Sequence, residues 1–354
     1  METKIIKLQS ENSELTKEEE DSLRYAGDIM KKGGLVAFPT ETVYGLGGDA
    51  LNSASARKIY AAKGRPSDNP LIIHISKWED IYAIVSDVPE TAYKIAQAFW
   101  PGPLTMILPK SEKVPYETTG GLDTVAVRMP SLLSARKLID YSGGYVAAPS
   151  ANTSGKPSPT VAKYVIEDMM GKIDVIIDGG AVGIGLESTI IDLTVEPPQI
   201  LRPGYITQEK LSAVLGQVDE DITMLHADSG QAPKAPGMKY RHYAPKGELV
   251  IVQGQPKQVI AYINEQAARE KEKGERVGVI GTEEQLKSYR ADVVKSVGSR
   301  TDEESIARHL YTILREFDDE EVTQIYSEGF ATEGFGQAIM NRLLKAAGHK
   351  IIEL

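Results

Sequence analysis

Polar segments studded with glycine and proline recur between Pro39 and Gly204, each beside a short β-branched or apolar run. They are Pro39–Leu46 (PTETVYGL), Lys63–Pro70 (KGRPSDNP), Ala148–Lys156 (APSANTSGK), Glu187–Thr189 (EST) and Leu201–Gly204 (LRPG). A polar segment next to a strand is a loop at a sheet boundary, and such loops are where α/β sheets bind ligands. Four of the five carry hydroxyls, and Lys63, Arg65, Lys156 and Arg202 add positive charge. A guanidinium can grip a carboxylate or phosphate by two parallel hydrogen bonds, while hydroxyls donate and accept without adding charge. The chemistry suits a phosphate-bearing ligand together with a small polar one.

Taken singly, these groups have plain structural readings. Lys63-Gly64-Arg65 is a solvated basic turn, Ser150-Ala151-Asn152 an Asx-type turn, and His74 a satisfied core histidine. Arg128 is an ordinary strand-end arginine, and Thr42 and Ser188 satisfy nearby backbone. Jointly, three arginines at strand or loop ends (Arg65, Arg128, Arg202) exceed what one small anion needs. Known nucleotide loops do not match. Gly155-Lys156-Pro157-Ser158 has Ser150 where a P-loop needs its leading glycine and Pro157 where it needs a hydroxyl, and Gly278-Val279-Ile280-Gly281 lacks the third glycine of a dinucleotide fingerprint. There is no cysteine and no Gly-x-Ser-x-Gly elbow. The pattern is that of a site that positions reactants and neutralises charge rather than one that supplies a nucleophile.

The chain that positions these groups has 354 residues, more than one compact domain usually holds, so two domains are expected. A formal net charge of −10 and only five Phe and two Trp argue against a general nucleic-acid binder, which needs a basic face and rings for stacking. No apolar run is long enough for a membrane span, and the N-terminal residues lack the apolar core of a secretory signal, so a cytoplasmic protein with no membrane partner is expected. The absence of cysteine excludes disulfides and Cys-ligated zinc, and the five histidines show no His-Glu-x-x-His spacing, so no protein-held metal is predicted.

Periodicity places helices after Thr16 (a capping box with Glu19), from Ser53 to Tyr60, from Glu90 to Trp100, near 131–140 and 160–170, and from Thr207 to Gly216. Strands are expected at 35–38, 71–75, 104–108, 124–128, 145–148, 174–177 and 188–193. Hairpin-like neighbours mixed with helical crossovers predict a mixed α/β sheet. Periodicity fades between 217 and 247, a linker or functional segment. From 248 onward β/α alternation predicts a small parallel, Rossmann-like domain, including a helix at Glu283–Tyr289. The expected division is 1–216, 217–247 and 248–354.

The segments together resemble the threonylcarbamoyl-adenylate synthase family in its longer form. The resemblance rests on Phe38–Gly48 (FPTETVYGLGG), Ala62–His74 (AKGRPSDNPLIIH), Trp100–Thr105 (WPGPLT), Thr124–Pro130 (TVAVRMP), Ala147–Thr160 (AAPSANTSGKPSPT), Asp178–Ile190 and Leu201–Gly204, in the family's order. It implies a YrdC-like twisted mixed sheet with a central cationic cleft, and a reaction joining L-threonine, bicarbonate or carbon dioxide, and ATP into threonylcarbamoyl-AMP and pyrophosphate. The product would pass to a separate tRNA threonylcarbamoyl transferase complex, and no stable tRNA binding is expected. Carried over by position, Thr42, His74, Arg128, Ala148 and Ser188 would bind L-threonine, Arg128 pairing with its carboxylate. Lys63, Arg65, Asn69, Thr124, Ser150, Asn152, Ser158, Arg202 and Tyr243 would bind ATP, with Lys63 and Arg65 as the catalytic pair. Mg²⁺ would arrive with ATP. Pro236–Pro245 would act either as a lid that keeps water from a hydrolysable acyl phosphate or as an ordered interdomain strap. Two rivals stand beside this reading. One is an RNA-binding module with a cationic cleft; the other is a carbamoyl-transferring relative, whose zinc-finger regions this cysteine-free chain lacks.

Overall fold

The computed structural model describes residues 2–9, 14–221 and 242–354, so most of the expected linker and of the Pro236–Pro245 lid lies outside the described residues. The chain forms two compact units. The first holds the described residues up to Ser154, then Ser158–Gly183, then Glu187 to residue 221.

The strands of this unit are β1 (Lys4–Lys7), β2 (Val36–Phe38), β3 (Gly45–Asp49), β4 (Ile72–His74), β5 (Leu104–Pro109), β6 (Thr124–Arg128), β7 (Val146–Ala147), β8 (Val175–Asp178), β9 (Thr189–Asp192), β10 (Gln199–Arg202) and β11 (Asp219–Glu220). They form one sheet in the order β1-β8-β2-β3-β7-β4-β6-β5-β9-β10-β11. Parallel pairs such as β4 with β6 alternate with antiparallel pairs such as β5 with β6, so the sheet is mixed. The helices are α1 (Lys17–Lys31), α2 (Ser53–Lys63), α3 (Ile81–Ile84), α4 (Glu90–Phe99), α5 (Tyr116–Thr119), α6 (Leu133–Tyr141), α7 (Ala162–Met169) and α8 (Gln208–Leu215).

Local chemistry explains the edges. Thr16 Oγ1 accepts the Glu19 N–H at 3.2 Å and Glu19 Oε2 accepts the Thr16 N–H at 2.9 Å, closing the capping box that starts α1. Leu23, Ala26 and Met30 on one face of α1 then pack with Val36, Phe38 and Leu138. A Cβ on Gly27 would lie 2.7 Å from the Tyr141 backbone, so the glycine is what lets α1 approach the end of α6. The start of α2 is capped by Asn52, whose side chain accepts the Ala54 N–H at 2.9 Å, rather than by Ser53, and the helix runs past Tyr60 to Lys63.

Strand β3 is absent from the sequence reading because its Gly-Leu-Gly-Gly-Asp composition has almost no β propensity. Packing decides it instead: a Cβ on Gly47 would come within 2.9 Å of both Phe38 and Val146. Glycine here admits side chains from the two flanking strands.

The second unit comprises Gly155–Pro157, Ile184–Leu186 and the described residues from His242 onward. Its strands β12 (Glu248–Gln253), β13 (Val277–Gly281), β14 (Val293–Ser296), β15 (Gln324–Glu328) and β16 (Ile351–Glu353) form a sheet in the order β14-β13-β15-β12-β16. Every pairing in it is parallel. Helices α9 (Pro256–Glu272), α10 (Glu303–Asp319) and α11 (Gly334–Ala346) connect the strands. The helix expected at Glu283–Tyr289 is only a 3-10 turn at Leu286–Ser288. So short a segment cannot repay α-helix nucleation, and the Asn264 side chain bonds both the Ser288 carbonyl and the Arg290 N–H at 2.8 Å, fixing the turn instead.

Candidate active site

Lys63 is the last residue of α2, because Gly64 turns the chain with a left-handed φ of 61°. Its side chain is buried, and Nζ donates to the carbonyls of Ser150 at 2.5 Å and Asn152 at 2.6 Å. Ser150 Oγ donates to Asn152 Oδ1 at 2.5 Å, and the Ser154 N–H returns to the Lys63 carbonyl at 2.9 Å. The Lys-x-Arg and Ser-x-Asn motifs are thus one hydrogen-bonded body. Beyond the cap, Arg65 Nε and Nη2 hold the carbonyls of Asn69 (3.3 Å) and Pro70 (3.1 Å). Asn69 is buried, yet neither its side-chain oxygen nor its nitrogen has a hydrogen-bond partner. A buried amide with both ends unmet is costly, and a ligand that supplied the missing partners would repay it.

Register sorts the remaining candidates into two groups. His74 and Arg128 pair at the carboxyl ends of β4 and β6, and Arg128 also faces Thr105 at the start of β5. Ser188 precedes β9, its hydroxyl 2.7 Å from that of Thr105. Arg202, at the end of β10, donates from Nε to the Ser188 carbonyl (3.0 Å) and from Nη2 to its hydroxyl (3.1 Å). At the opposite strand ends lie Thr124, which opens β6, and Ala148, whose N–H meets the Ile72 carbonyl at 2.9 Å. Ser150 bridges Gly45 there, just after the β2–β3 turn that carries Thr42. Side-chain contacts join the groups: Ser158 Oγ donates to Glu187 Oε1 at 2.6 Å, and Arg128 Nη2 lies 2.7 Å from Glu41 Oε1. Tyr243 belongs to the second unit, where its ring stacks on Tyr311 with centroids 5.0 Å apart.

The electrostatics follow from burial. His74 is fully enclosed; burial first, and the adjacent Arg128 charge second, push its pKa down from 6.5 to about 3. At neutral pH the ring is therefore uncharged, one nitrogen 3.2 Å from the Ile72 carbonyl. Thr40 and Thr42 hydroxyls pair at 2.9 Å, and Thr40 also donates to the Val43 carbonyl at 2.7 Å, which shapes the turn. Glu41, Thr105 and Glu187 enter the site although sequence reasoning does not single them out. Each lies inside one of the motif stretches, so position alone could have raised them. Among the described residues no group of three His, Asp or Glu side chains comes together as a metal site.

Comparison with known proteins fits this geometry. Residues 28–204 match the Sua5–YciO–YrdC family, described as "Telomere recombination", and residues 206–348 match the family described as "Threonylcarbamoyl-AMP synthase, C-terminal domain". The chain is 51% identical to threonylcarbamoyl-AMP synthase of Pyrococcus abyssi over 95% of its own length and 97% of that protein's. It is 48% identical to the enzyme of the same name from Bacillus subtilis, over 92% of this chain and 93% of that one. The crystal structure of P. abyssi Sua5 complexed with L-threonine is similar with a TM-score of 0.93 and 49% identity, covering 99% of this chain and 100% of that one. Escherichia coli YciO shares the fold over 56% of this chain and 95% of its own, with a TM-score of 0.51 and 21% identity. Identity of this order over nearly the full length of both partners, with two consecutive family matches, places the chain plainly: it belongs to the threonylcarbamoyl-AMP synthase family.

Proposed function

We propose that this chain condenses L-threonine, bicarbonate or carbon dioxide, and ATP into threonylcarbamoyl-AMP, releasing pyrophosphate. The observation that carries the reading is the joining of two polar groups within one sheet, Lys63–Ser150–Asn152 and Arg128–Ser188–Arg202. One group offers a buried ammonium, hydroxyls and the unmet Asn69 amide, which suits a nucleotide. The other offers guanidinium and hydroxyl groups beside a neutral imidazole, which suits a small amino acid. The family membership and the threonine-bound relative support the same assignment.

In this reading the threonine carboxylate lies on Arg128, its hydroxyl end near His74 and Ser188, and Thr42 and Ala148 approach it from the opposite strand ends, on the side where the Thr42 turn brings Glu41 to Arg128. The triphosphate lies along Lys63, Arg65, Ser150, Asn152, Ser158 and Arg202, with Asn69 and Thr124 on the nucleoside side. The free amine attacks carbon dioxide and releases a proton, or attacks bicarbonate with loss of water, to form a carbamate; a carbamate oxygen then attacks the α-phosphorus as pyrophosphate leaves. Both steps gain from close approach and from fixed positive charge on the phosphates. Lys63, already held by two carbonyls, presents that charge without reorganising; Arg65 does so from its own carbonyl clamp. Magnesium would enter as part of the ATP substrate, since among the described residues no three His, Asp or Glu side chains converge to hold it apart from the nucleotide. The product would be consumed by a tRNA threonylcarbamoyl transferase complex in the cytoplasm.

The test is to incubate the full chain with Mg-ATP, L-threonine and ¹³C-bicarbonate and follow the products by mass spectrometry. Labelled threonylcarbamoyl-AMP that disappears when any one substrate is omitted is the expected result. ATP breakdown with no labelled adduct would contradict it.

A further inference from the structure

The proposed function gives the substrate carboxylate to Arg128 but leaves the substrate ammonium with no anionic partner. Glu41, on the turn between β2 and β3, stands in the right place. Its side chain is 12% exposed and that of Arg128 is 5% exposed, and Nη2 and Oε1 are 2.7 Å apart. The approach is off-line, so Arg128 Nε and Nη2 and both Glu41 oxygens have no hydrogen bond. Nε and Nη2 form the side-on edge of a guanidinium, the two-donor fork that receives a carboxylate in parallel. Glu41 neutralises that edge while leaving both of its donors without a hydrogen bond. A buried pair of opposite charge with all of these atoms unmet is a poor stability device, since desolvation is offset only when hydrogen bonds complete the pair. It is a good receptor for a zwitterion. A carboxylate on the fork and an ammonium on Glu41 would close a ring of alternating charge and satisfy all four atoms at once.

Other charges nearby leave the ammonium to Glu41. His74, register partner of Arg128, is uncharged. Glu187 already accepts from Ser158. The Thr40 and Thr42 hydroxyls are engaged with each other.

We propose that Glu41 binds the α-ammonium group of the amino-acid substrate, so that Glu41 and Arg128 together select a zwitterionic α-amino acid. This rests on the proposed function and deepens it. The free chain keeps the two side chains near each other, and substrate converts an unfinished ion pair into a closed ring of four charges.

The test is calorimetric binding, without ATP, of L-threonine and of its analogue with hydroxyl in place of the amine, to wild type and to Glu41→Gln. For L-threonine the variant should bind at least about tenfold more weakly, one well-formed charged contact's worth. The hydroxy analogue, which needs only the Arg128 fork, should bind the variant as well as it binds wild type, or better, because the competing carboxylate is gone. Equal weakening for both ligands would overturn the proposal, since it would mean that Glu41 only holds Arg128 in place; so would unchanged threonine binding. Should Glu41→Gln fail to fold, Glu41→Asp keeps the charge, and the proposal then requires it to retain preference for L-threonine over the hydroxy analogue. Loss of that preference in a folded Asp variant counts against it. Failure of wild type to take up L-threonine would refute the functional reading itself, an outcome distinct from any of these.

Discussion

His74 shows how one residue ties burial to pH. Its folded pKa near 3 lies below the ordinary 6.5 because the enclosed ring, next to Arg128, resists a proton. The unfolded chain therefore binds a proton that the folded one refuses. The contribution of neutral His74 is complete above about pH 6.5 and is lost as pH falls from there towards 3. Within that window one such group makes stability fall by up to about 1.4 kcal/mol per pH unit. Chemical denaturation of wild type and His74→Gln from pH 7 to pH 4 should show a shallower fall in the variant; parallel curves would deny the shift. Asn69 offers the opposite signature. With both amide atoms unmet, Asn69→Ala should lower stability by no more than about 1 kcal/mol. The same change should raise the KM for ATP several-fold and leave the KM for threonine nearly as it was. A large loss of stability with unchanged ATP kinetics would show the amide to be structural.

At the scale of elements, small residues and caps set where functional groups fall. A Cβ on Gly204 would lie 2.5 Å from the Thr189 nitrogen, in the turn that follows Arg202 and crosses Ser188. Gly204→Ala must therefore displace backbone, at a cost of about 1–3 kcal/mol, and should reduce turnover because Arg202 and Ser188 move with it. Thr16→Ala removes the capping box of α1 and should cost about 1 kcal/mol in thermal or urea unfolding with turnover unchanged, because α1 carries none of the candidate site. Much of this layer was legible: the Thr16 box, the apolar runs of β4 to β6 and the β/α alternation after residue 247 all follow from local chemistry, whereas the end of α2 at Gly64, three residues past the expected Tyr60, did not. Strand β3 was not, because its glycines serve Phe38 and Val146, neighbours that exist only once the sheet has formed. The polar loops were legible as loops, but not their partners. Lys63 meets Ser150 only because the sheet order places β3, β7 and β4 side by side, and nothing local encodes that order. Glu41 stayed hidden for a related reason: inside PTET it reads as one more turn residue until Arg128 arrives from β6.

At the scale of the whole molecule, the chain carries a formal charge of −10, while Lys63, Arg128 and Arg202 are buried at helix and strand ends of the first unit. Such a distribution would draw a small anion locally and repel polyanions generally. Filter binding of unmodified tRNA at physiological salt should accordingly give a Kd no tighter than about 1 µM, the weak end expected of sequence-independent contact. Submicromolar binding would favour a direct role on RNA. Among the described residues no helix is long and apolar enough to cross a membrane. In the proposed reaction one sheet brings the groups that hold the amino acid and those that hold the triphosphate together, so that the adenylate forms in place. Exchange of labelled pyrophosphate into ATP tests it most directly. Exchange should require L-threonine and bicarbonate together and be abolished in Lys63→Ala; exchange that proceeds without threonine, or survives that substitution, would rule out the proposed reaction.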